Sequence, residues 1–271
     1  MKADELIRAG RVDEALAALK DAVRGAPADW RLRVFLFQLL SVRGEWESAV
    51  SQLNIAADMN AECLLLAQLY RPALNAEAFR KEIFAGRRTP LFLGEPSDWV
   101  VWLSQVLRLL QEGQSAAAIR LRDRAFESAP STSGTVNGEP FAWIADADSR
   151  LGPILEAVID GKYYWIPFAN IRDIRIEKPQ DLRDAIWAKA YFTWTNEGRS
   201  AGLIPVRYAN TEDASDEALR LARKTEWAET GDGPARGIGQ RMLATDVGEY
   251  PLLEIRQLTL NTAAMPGQTT E

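Results

Sequence analysis

GRVDEALAAL (residues 10–19) returns as GEWESAVSQL (residues 44–53), 34 residues further along the chain. The offset is kept by Gly10 and Gly44, Ala15 and Ala49, Leu19 and Leu53, and Ala22 and Ala56. A third copy, GQSAAAIRLR, begins at Gly113, two periods and one residue after Gly44, and AVRGAP at 22–27 recurs as AFESAP at 125–130. A period of this length belongs to arrays of helix pairs, in which each pair buries its apolar stripe against its neighbours.

Each repeated position has a physical role. Gly10, Gly44 and Gly113 stand where a helix ends and the chain turns sharply, a place that favours glycine. Asp13, Glu14, Glu45 and Glu47 follow near the next helix N-terminus, whose dipole favours negative charge. Small Ala15 and Ala49 let two helices approach closely, and Leu16, Leu19, Val23 with Val50, Leu53, Ala57 form the apolar stripe of each second helix. The first helices are legible as Trp30–Leu40 and Trp99–Leu110, with Asp29 and Asp98 as expected N-caps. The pattern resembles the tetratricopeptide repeat. It degenerates over 61–95, where the expectation is a helix at 61–70, a second at 74–85, and a loop through GRRTPLFLGEPSD.

Residues 128–140 (SAPSTSGTVNGEP) are rich in Ser, Thr, Gly and Pro and read as punctuation between domains. Beyond them, Asp160-Gly161 between β-prone runs signals a hairpin, and Asn196–Gly198 a second turn. PLLEIRQLTL (251–260) reads as a last strand and EALRLARKTEW (217–227) as a short helix. The expected fold class is α+β: a tetratricopeptide-like α-helical repeat domain over 1–130, a linker at 131–140, an α+β domain with a mostly antiparallel sheet over 141–262, and a disordered tail at 263–271.

With 47% hydrophobic and 26% charged residues the chain has the balance of a folded globular protein. Its net charge of −6 argues against nucleic acid or an anionic membrane as a main partner. The N-terminal MKADELIRAGRVDEAL has no apolar signal region, and no stretch approaches the roughly 18 apolar residues of a membrane span, so a cytoplasmic location is expected. The chain contains no histidine, which removes Ser-His-Asp and Cys-His nucleophile systems and histidine metal ligands. Its single cysteine, Cys63, lies in an apolar helical run and reads as a buried small hydrophobe.

The polar candidates are few. Asp146, Asp148 and Arg150 in AWIADADSRLGP form a possible carboxylate or cation site, with Glu156 or Asp246 as a further acid; turn capping and an Asp–Arg contact are the alternative. GDGPARGIGQR (231–241) lacks every nucleotide-loop pattern and reads as a turn, with anion binding through Arg236 and Arg241 as the alternative. Arg87 and Arg88 read as a solvated turn rather than an anion patch. The aromatics Tyr163, Tyr164, Trp165, Phe168, Trp187, Tyr191, Phe192 and Trp194 read mainly as sheet core, Tyr163 and Trp165 sharing one face and Tyr164 the other.

A wider resemblance emerges from the order of several stretches. WRLRVFLFQLL (30–40) leads into GEWESAVSQL; then come DADSRLGPILE (146–156), GKYYWIPF (161–168), DLRDAIW (181–187), GLIPVRY (202–208), RKTEW (223–227), GIGQRML (237–243) and LLEIRQL (252–258). Over about residues 4–260 the chain resembles the ImpE/SciE/TagJ family, accessory proteins encoded with bacterial type VI secretion systems. That resemblance implies cytoplasmic partners: the small subunit of the contractile sheath and, directly or through it, the AAA+ ATPase that disassembles the contracted sheath. It carries over no catalytic residue, cofactor or metal. The expected function is therefore a non-enzymatic adaptor that accepts a partner helix on the concave face of its repeats. Arg31, Arg33, Phe37 and Gln38 are the candidate groove residues, core packing being the alternative for Phe37. An isolated fragment of about residues 1–127 would then fold and bind. The competing readings are a self-associating scaffold, and a small-ligand or metal-dependent activity using Asp146 and Asp148.

Overall fold

The computed structural model describes residues 2–228 and 233–262. Its first half consists of α1 (Ala3–Arg8), α2 (Val12–Gly25), α3 (Trp30–Val42), α4 (Trp46–Met59) and α5 (Glu62–Phe84), a short strand β1 (Leu91–Phe92), then α6 (Asp98–Gln111) and α7 (Ser115–Ser128). The repeat glycines end the first helix of each pair. Gly10, Gly44 and Gly113 have φ of +74°, +72° and +74°. After each, a backbone N–H returns five residues to close the turn: Arg11 to Leu6, Glu45 to Leu40 and Gln114 to Leu109. Gly86, at φ +72°, ends α5 in the same way. Asp29 caps α3 through the Arg31 N–H at 2.9 Å. Asp98 is the first residue of α6 rather than its cap, which is Ser97.

The two helices expected over 61–85 are one. α5 runs through Pro72, which removes one backbone donor without ending the helix, because Ala73, Leu74, Ala76 and Glu77 beyond it are buried. The expected loop after α5 holds β1, which pairs in parallel with Tyr164 and Trp165.

The second half is built from β2 (Gly134–Val136), β3 (Glu139–Phe141), β4 (Ile144–Asp146), β5 (Ile154–Ile159), β6 (Lys162–Pro167), β7 (Ile171–Ile176), β8 (Trp187–Trp194), β9 (Arg199–Pro205), α8 (Glu217–Arg220), β10 (Thr225–Ala228), β11 (Arg236–Gly239), β12 (Met242–Thr245), β13 (Glu249–Pro251) and β14 (Gln257–Leu260). Nine strands form one sheet in the order β1-β6-β5-β9-β8-β7-β14-β2-β3, antiparallel at every junction except β1–β6. β13-β12-β4 make a small second sheet and β10-β11 a hairpin. The expected linker at 131–140 is thus part of the fold, since β2 and β3 lie at the edge of the large sheet and β2 pairs with β14. The helix expected over 217–227 stops at Arg220, and Thr225–Ala228 pair with β11 instead. The last expected strand begins at Gln257, after a 3-10 turn at Leu252–Glu254. The expected tail at 263–271 lies outside the described residues.

Alternation along the strands gives the sheet two buried faces. Ile154 and Val158 of β5, Tyr163 and Trp165 of β6, Trp187 of β8 and Leu203 of β9 join the helices in one core. Leu155, Ala157 and Ile159 face a second core, with Ile144, Leu243, Leu252 and Ile255 from the small sheet and its turns. The helical array and the large sheet therefore share a hydrophobic core rather than meeting across a tether.

The segment between β9 and β10 fastens the sheet to the ends of the repeat helices. Arg207 donates to the carbonyls of Val42 at 2.8 Å and Arg220 at 2.7 Å, the C-terminal ends of α3 and α8. Arg223 donates to the Ile7 carbonyl at the end of α1, at 2.8 Å. The Glu217 carboxylate accepts from the Val12 N–H at the start of α2, at 2.6 Å. Cations sit at helix C-termini and an anion at an N-terminus, each satisfying backbone groups the helices leave unpaired.

Candidate functional site

Two arrangements bear on function: a buried chain of charges between helices and sheet, and a pair of open clefts on the helical face.

The charge chain contains the sequence candidates Asp146, Asp148 and Arg150, all buried. Asp148 holds Arg150 through its Nε at 2.9 Å, and accepts the Arg150 and Gly237 N–H groups at 3.0 Å each. Asp146 accepts the Asp148 N–H at 2.8 Å and forms an ion pair with Arg241. Arg241 also pairs with Glu156, which is held by Arg80 of α5 at 2.6 and 3.0 Å and accepts from the Tyr163 hydroxyl. Arg80 reaches Glu77 at 3.3 Å and the Arg207 carbonyl at 2.8 Å, and Glu77 accepts the Trp187 indole N–H at 3.0 Å. Aromatic rings line the same seam: Trp187 lies on Tyr70 (5.6 Å between centroids) and Trp46 (6.4 Å), and Trp165 on Phe84 (6.1 Å).

The electrostatics follow from burial. Glu156 would be raised by desolvation, but Arg241 and Arg80 hold it down to about 2. Asp146 has one cation against it, so burial, aided by the nearby Asp148, pushes it up to about 7. Burial also raises Glu77. The carboxylates of Asp146, Asp148 and Glu156 are thus occupied by guanidiniums and backbone donors, which is the chemistry of a buried polar seam. Asp246 stands apart and accepts the Ala142 N–H at 2.7 Å. Among the described residues no group of three or more His, Cys, Asp or Glu side chains is placed to hold a metal ion. Arg241, read in the sequence as a possible anion ligand in a Gly-rich turn, is fully buried in this seam. Gly231 and Asp232 of that turn lie outside the described residues, and Arg236 is exposed on β11. Arg87 pairs with Glu82, and Cys63 is buried.

The groove candidates divide. Phe37 is wholly buried against Tyr70 and lines no groove. Arg33 turns to the Pro27 carbonyl and the Gln52 side chain, in a hollow shared with α2 and α4. Arg31 and Gln38 do come together, with Val34 and Phe35, in a cleft of about 430 Å³ between α1, α3 and the turn at Leu182. The repeat period explains this placement. Asp4, Gln38 and Pro72 are successive occupants of one position, 34 residues apart, and Arg31, Val34 and Phe35 map onto Leu65, Gln68 and Leu69. Gln68, Leu69 and Pro72 line a second cleft, of about 490 Å³, closed by Val158, Lys189, Tyr191, Ala201 and Leu203 of the sheet. From the helical side, both clefts are lined by equivalent positions of successive repeats. The segment at Leu182–Ala185 lies between them, with Arg183 stacked on Tyr70 at 5.0 Å. The second cleft escaped the sequence reading because its repeat is degenerate over 61–95.

No helix among the described residues is long and apolar enough to cross a membrane. Comparison with known proteins agrees with these features. The family described as ImpE protein matches residues 138–259, and a tetratricopeptide repeat family matches residues 6–71. The chain is 47% identical over 258 residues to the type VI secretion system accessory component TagJ of Pseudomonas aeruginosa, covering 95% of this chain and 90% of that one. A crystal structure of protein VPA1032 from Vibrio parahaemolyticus has the same fold. Its TM-score is 0.86 and its identity 24%, over 95% of this chain and 97% of that one.

Proposed function

The chain belongs to the ImpE family, and on that premise we propose that it is a non-enzymatic adaptor of a type VI secretion system, acting in the cytoplasm. In this reading a segment of the small sheath subunit docks on the concave face of the repeats, and the AAA+ ATPase that disassembles the sheath is reached directly or through it. The observation that carries the reading is the recurrence of concave-face positions: residues 34 apart on α1, α3 and α5 line two open clefts. Repeat solenoids use such surfaces for partner segments. The ion-paired state of Asp146, Asp148 and Glu156 supports a structural role for those carboxylates rather than a catalytic one.

Isothermal titration of the purified full chain against the small sheath subunit of its own host tests the proposal. Saturable binding is expected. Absence of binding to that subunit, to the complete sheath and to the ATPase would remove the adaptor reading. Light scattering on the same sample separates a monomeric adaptor from a self-associating scaffold.

A further inference from the structure

Away from the α1–α3 and α5 clefts, a third hollow of about 290 Å³ opens where the ends of α5 and α6 meet the start of α7. The repeat supplies an internal comparison for this place. Val12, Trp46 and Ser115 each begin the second helix of a pair, two residues after Gly10, Gly44 and Gly113. At α2 the first N–H groups meet a carboxylate from the second half of the chain: Glu217 accepts from Val12 at 2.6 Å and from Asp13 at 3.3 Å. At the turn before α4 the Glu212 side chain lies against Gly44. The third copy departs from this pattern. Gln114, just before α7, turns its side chain to Glu112 at 3.0 Å and does not cap the helix. The second half of the chain brings arginines here instead. Arg150 and Arg236 line the hollow with Ser115, and none of the described residues lining it is acidic.

Each cation is placed by the fold. Asp148 accepts from Nε and Nη2 of Arg150 at 2.9 and 2.5 Å, and the guanidinium lies 4.9 Å from the Phe84 ring. The Arg150 side chain is only 8% exposed and so is held in place, while its Nη1 makes no hydrogen bond to any described residue. A donor fixed in this way loses little freedom on taking up an acceptor. Arg236 begins β11, is exposed, and has no ion pair or side-chain hydrogen bond among the described residues. The acids next to the hollow in sequence are engaged elsewhere, Glu82 by Arg87 and Glu112 by Arg108. The Ser115 hydroxyl and the leading N–H groups of the 14-residue α7 add further donors and the positive end of the helix dipole.

Donors from three separate elements, with no carboxylate among them, suit an anion with several oxygens rather than a cation or a neutral ligand. Phe84, Leu107 and Leu110 supply apolar lining, and the volume is that of a site for a small molecule. A chain of net charge −6 thus concentrates unpaired positive charge in one small hollow.

We propose that this hollow binds a small oxyanion of the phosphate class, free or as the head of a small organic ester, through Arg150, Arg236 and the start of α7. None of its residues belongs to the two partner clefts, so its test is independent of the adaptor reading. Isothermal titration at pH 8 in chloride buffer uses the full chain with three probes: inorganic phosphate, phenyl phosphate and neutral benzyl alcohol. The variants are Arg236→Gln, Ser115→Glu and, outside the hollow, Arg199→Gln. Arg236 and Arg199 are exposed, and glutamate is favourable in the first turn of a helix. Circular dichroism confirms folding, and Arg236→Gln alone decides the matter where Ser115→Glu does not fold. Wild type is expected to bind phenyl phosphate with a Kd of about 1 mM or tighter. Arg236→Gln is expected to weaken this about tenfold, and Ser115→Glu, which places the chain's own acid there, to abolish it. Arg199→Gln is expected to change it by less than about twofold. Tighter binding of phenyl phosphate than of inorganic phosphate supports the site with an ester as its ligand; equal binding supports it with free phosphate. No saturation by either up to about 10 mM, unchanged affinity in Arg236→Gln, or equal binding of benzyl alcohol overturns the proposal.

Discussion

Arg241→Met tests whether the charge seam is what holds helices and sheet together. Arg241 is fully buried and donates to Asp146, to Glu156 and, through Nε, to the Pro205 carbonyl at 2.9 Å. Its loss falls unequally on its partners. Glu156 keeps Arg80 through contacts at 2.6 and 3.0 Å. Asp146 keeps only the Asp148 N–H. Breaking a buried ion pair from one side costs about 3–5 kcal/mol. The orphaned Pro205 carbonyl adds about 1 kcal/mol, and methionine regains part of this by filling the volume, so about 4 kcal/mol is expected. Urea unfolding at pH 8, followed by tryptophan fluorescence, measures it as a fall in midpoint at unchanged slope. Adding Asp146→Asn removes the orphaned charge, and the double variant is expected to be more stable than the sum of the single effects by about 2 kcal/mol. A cost below about 1 kcal/mol, or strict additivity, refutes the reasoning.

Three further outcomes follow from the same structure. Gly44 and Gly113 share a positive φ, but a Cβ at Gly44 would lie 2.5 Å from the Glu212 side chain, and one at Gly113 meets nothing within 4 Å. Gly113→Ala is expected to cost about 1–2 kcal/mol and Gly44→Ala at least about 1 kcal/mol more, read from thermal or urea midpoints. Glu156, held down to about 2, has a folded pKa below its unfolded value. Its contribution, about 3 kcal/mol, is therefore present above about pH 4.3 and lost as the pH falls through 2. Glu156→Gln should flatten the loss of stability between pH 5 and pH 3. Asp146, raised to about 7, acts the other way: its burial costs most above pH 7, and the cost shrinks as the pH falls toward 4. Finally, a fragment of residues 1–127 strips the sheet from Tyr70, Leu74, Glu77 and Arg80, all buried in the full chain. It is expected to show no cooperative melt by circular dichroism, and a transition near that of the full chain would refute the shared core.

What the sequence discloses depends on how local the cause is. The turns at Gly10, Gly44 and Gly113 are settled within one helix end, so their spacing is legible. The hairpin at Asp160-Gly161 and the split of Tyr163 and Trp165 from Tyr164 follow from the two-residue strand period. β2 was read as a tether because its composition is that of a loop, and its partner β14 lies about 120 residues away in sequence. The two helices expected at 61–70 and 74–85 are one because burial of the turn after Pro72 outweighs one lost hydrogen bond. Phe37 failed as a groove residue because the helix face it occupies packs on Tyr70. Arg241 was misread because arginine in a Gly-rich stretch resembles solvent-facing charge, while its carboxylates stand 95 and 85 residues off. One signal was available: Glu156 interrupts the otherwise apolar strand ILEAVI, and a lone acid in a strand buried on both faces requires a buried cation.

The stretches that carry the family resemblance also supply the seam. DADSRLGPILE gives Asp146, Asp148, Arg150 and Glu156; GKYYWIPF gives Tyr163 and Trp165; DLRDAIW gives Trp187; GLIPVRY gives Arg207; GIGQRML gives Arg241. Their common property is position between the helical layer and the sheet, not exposure to a ligand. A repeat array ordinarily leaves its concave face to a partner. Here the chain packs its own sheet against the repeat helices, with Leu182 lining the α1–α3 cleft and strand residues lining the α5 cleft. The α5 cleft then has one wall from a repeat helix and a floor from β8 and β9. A partner seated there reads both layers at once, so its affinity depends on the ion pairs that fix their relative position. Variants such as Arg241→Met, remote from the cleft, are accordingly expected to weaken partner binding in proportion to the share of molecules in which the layers have separated.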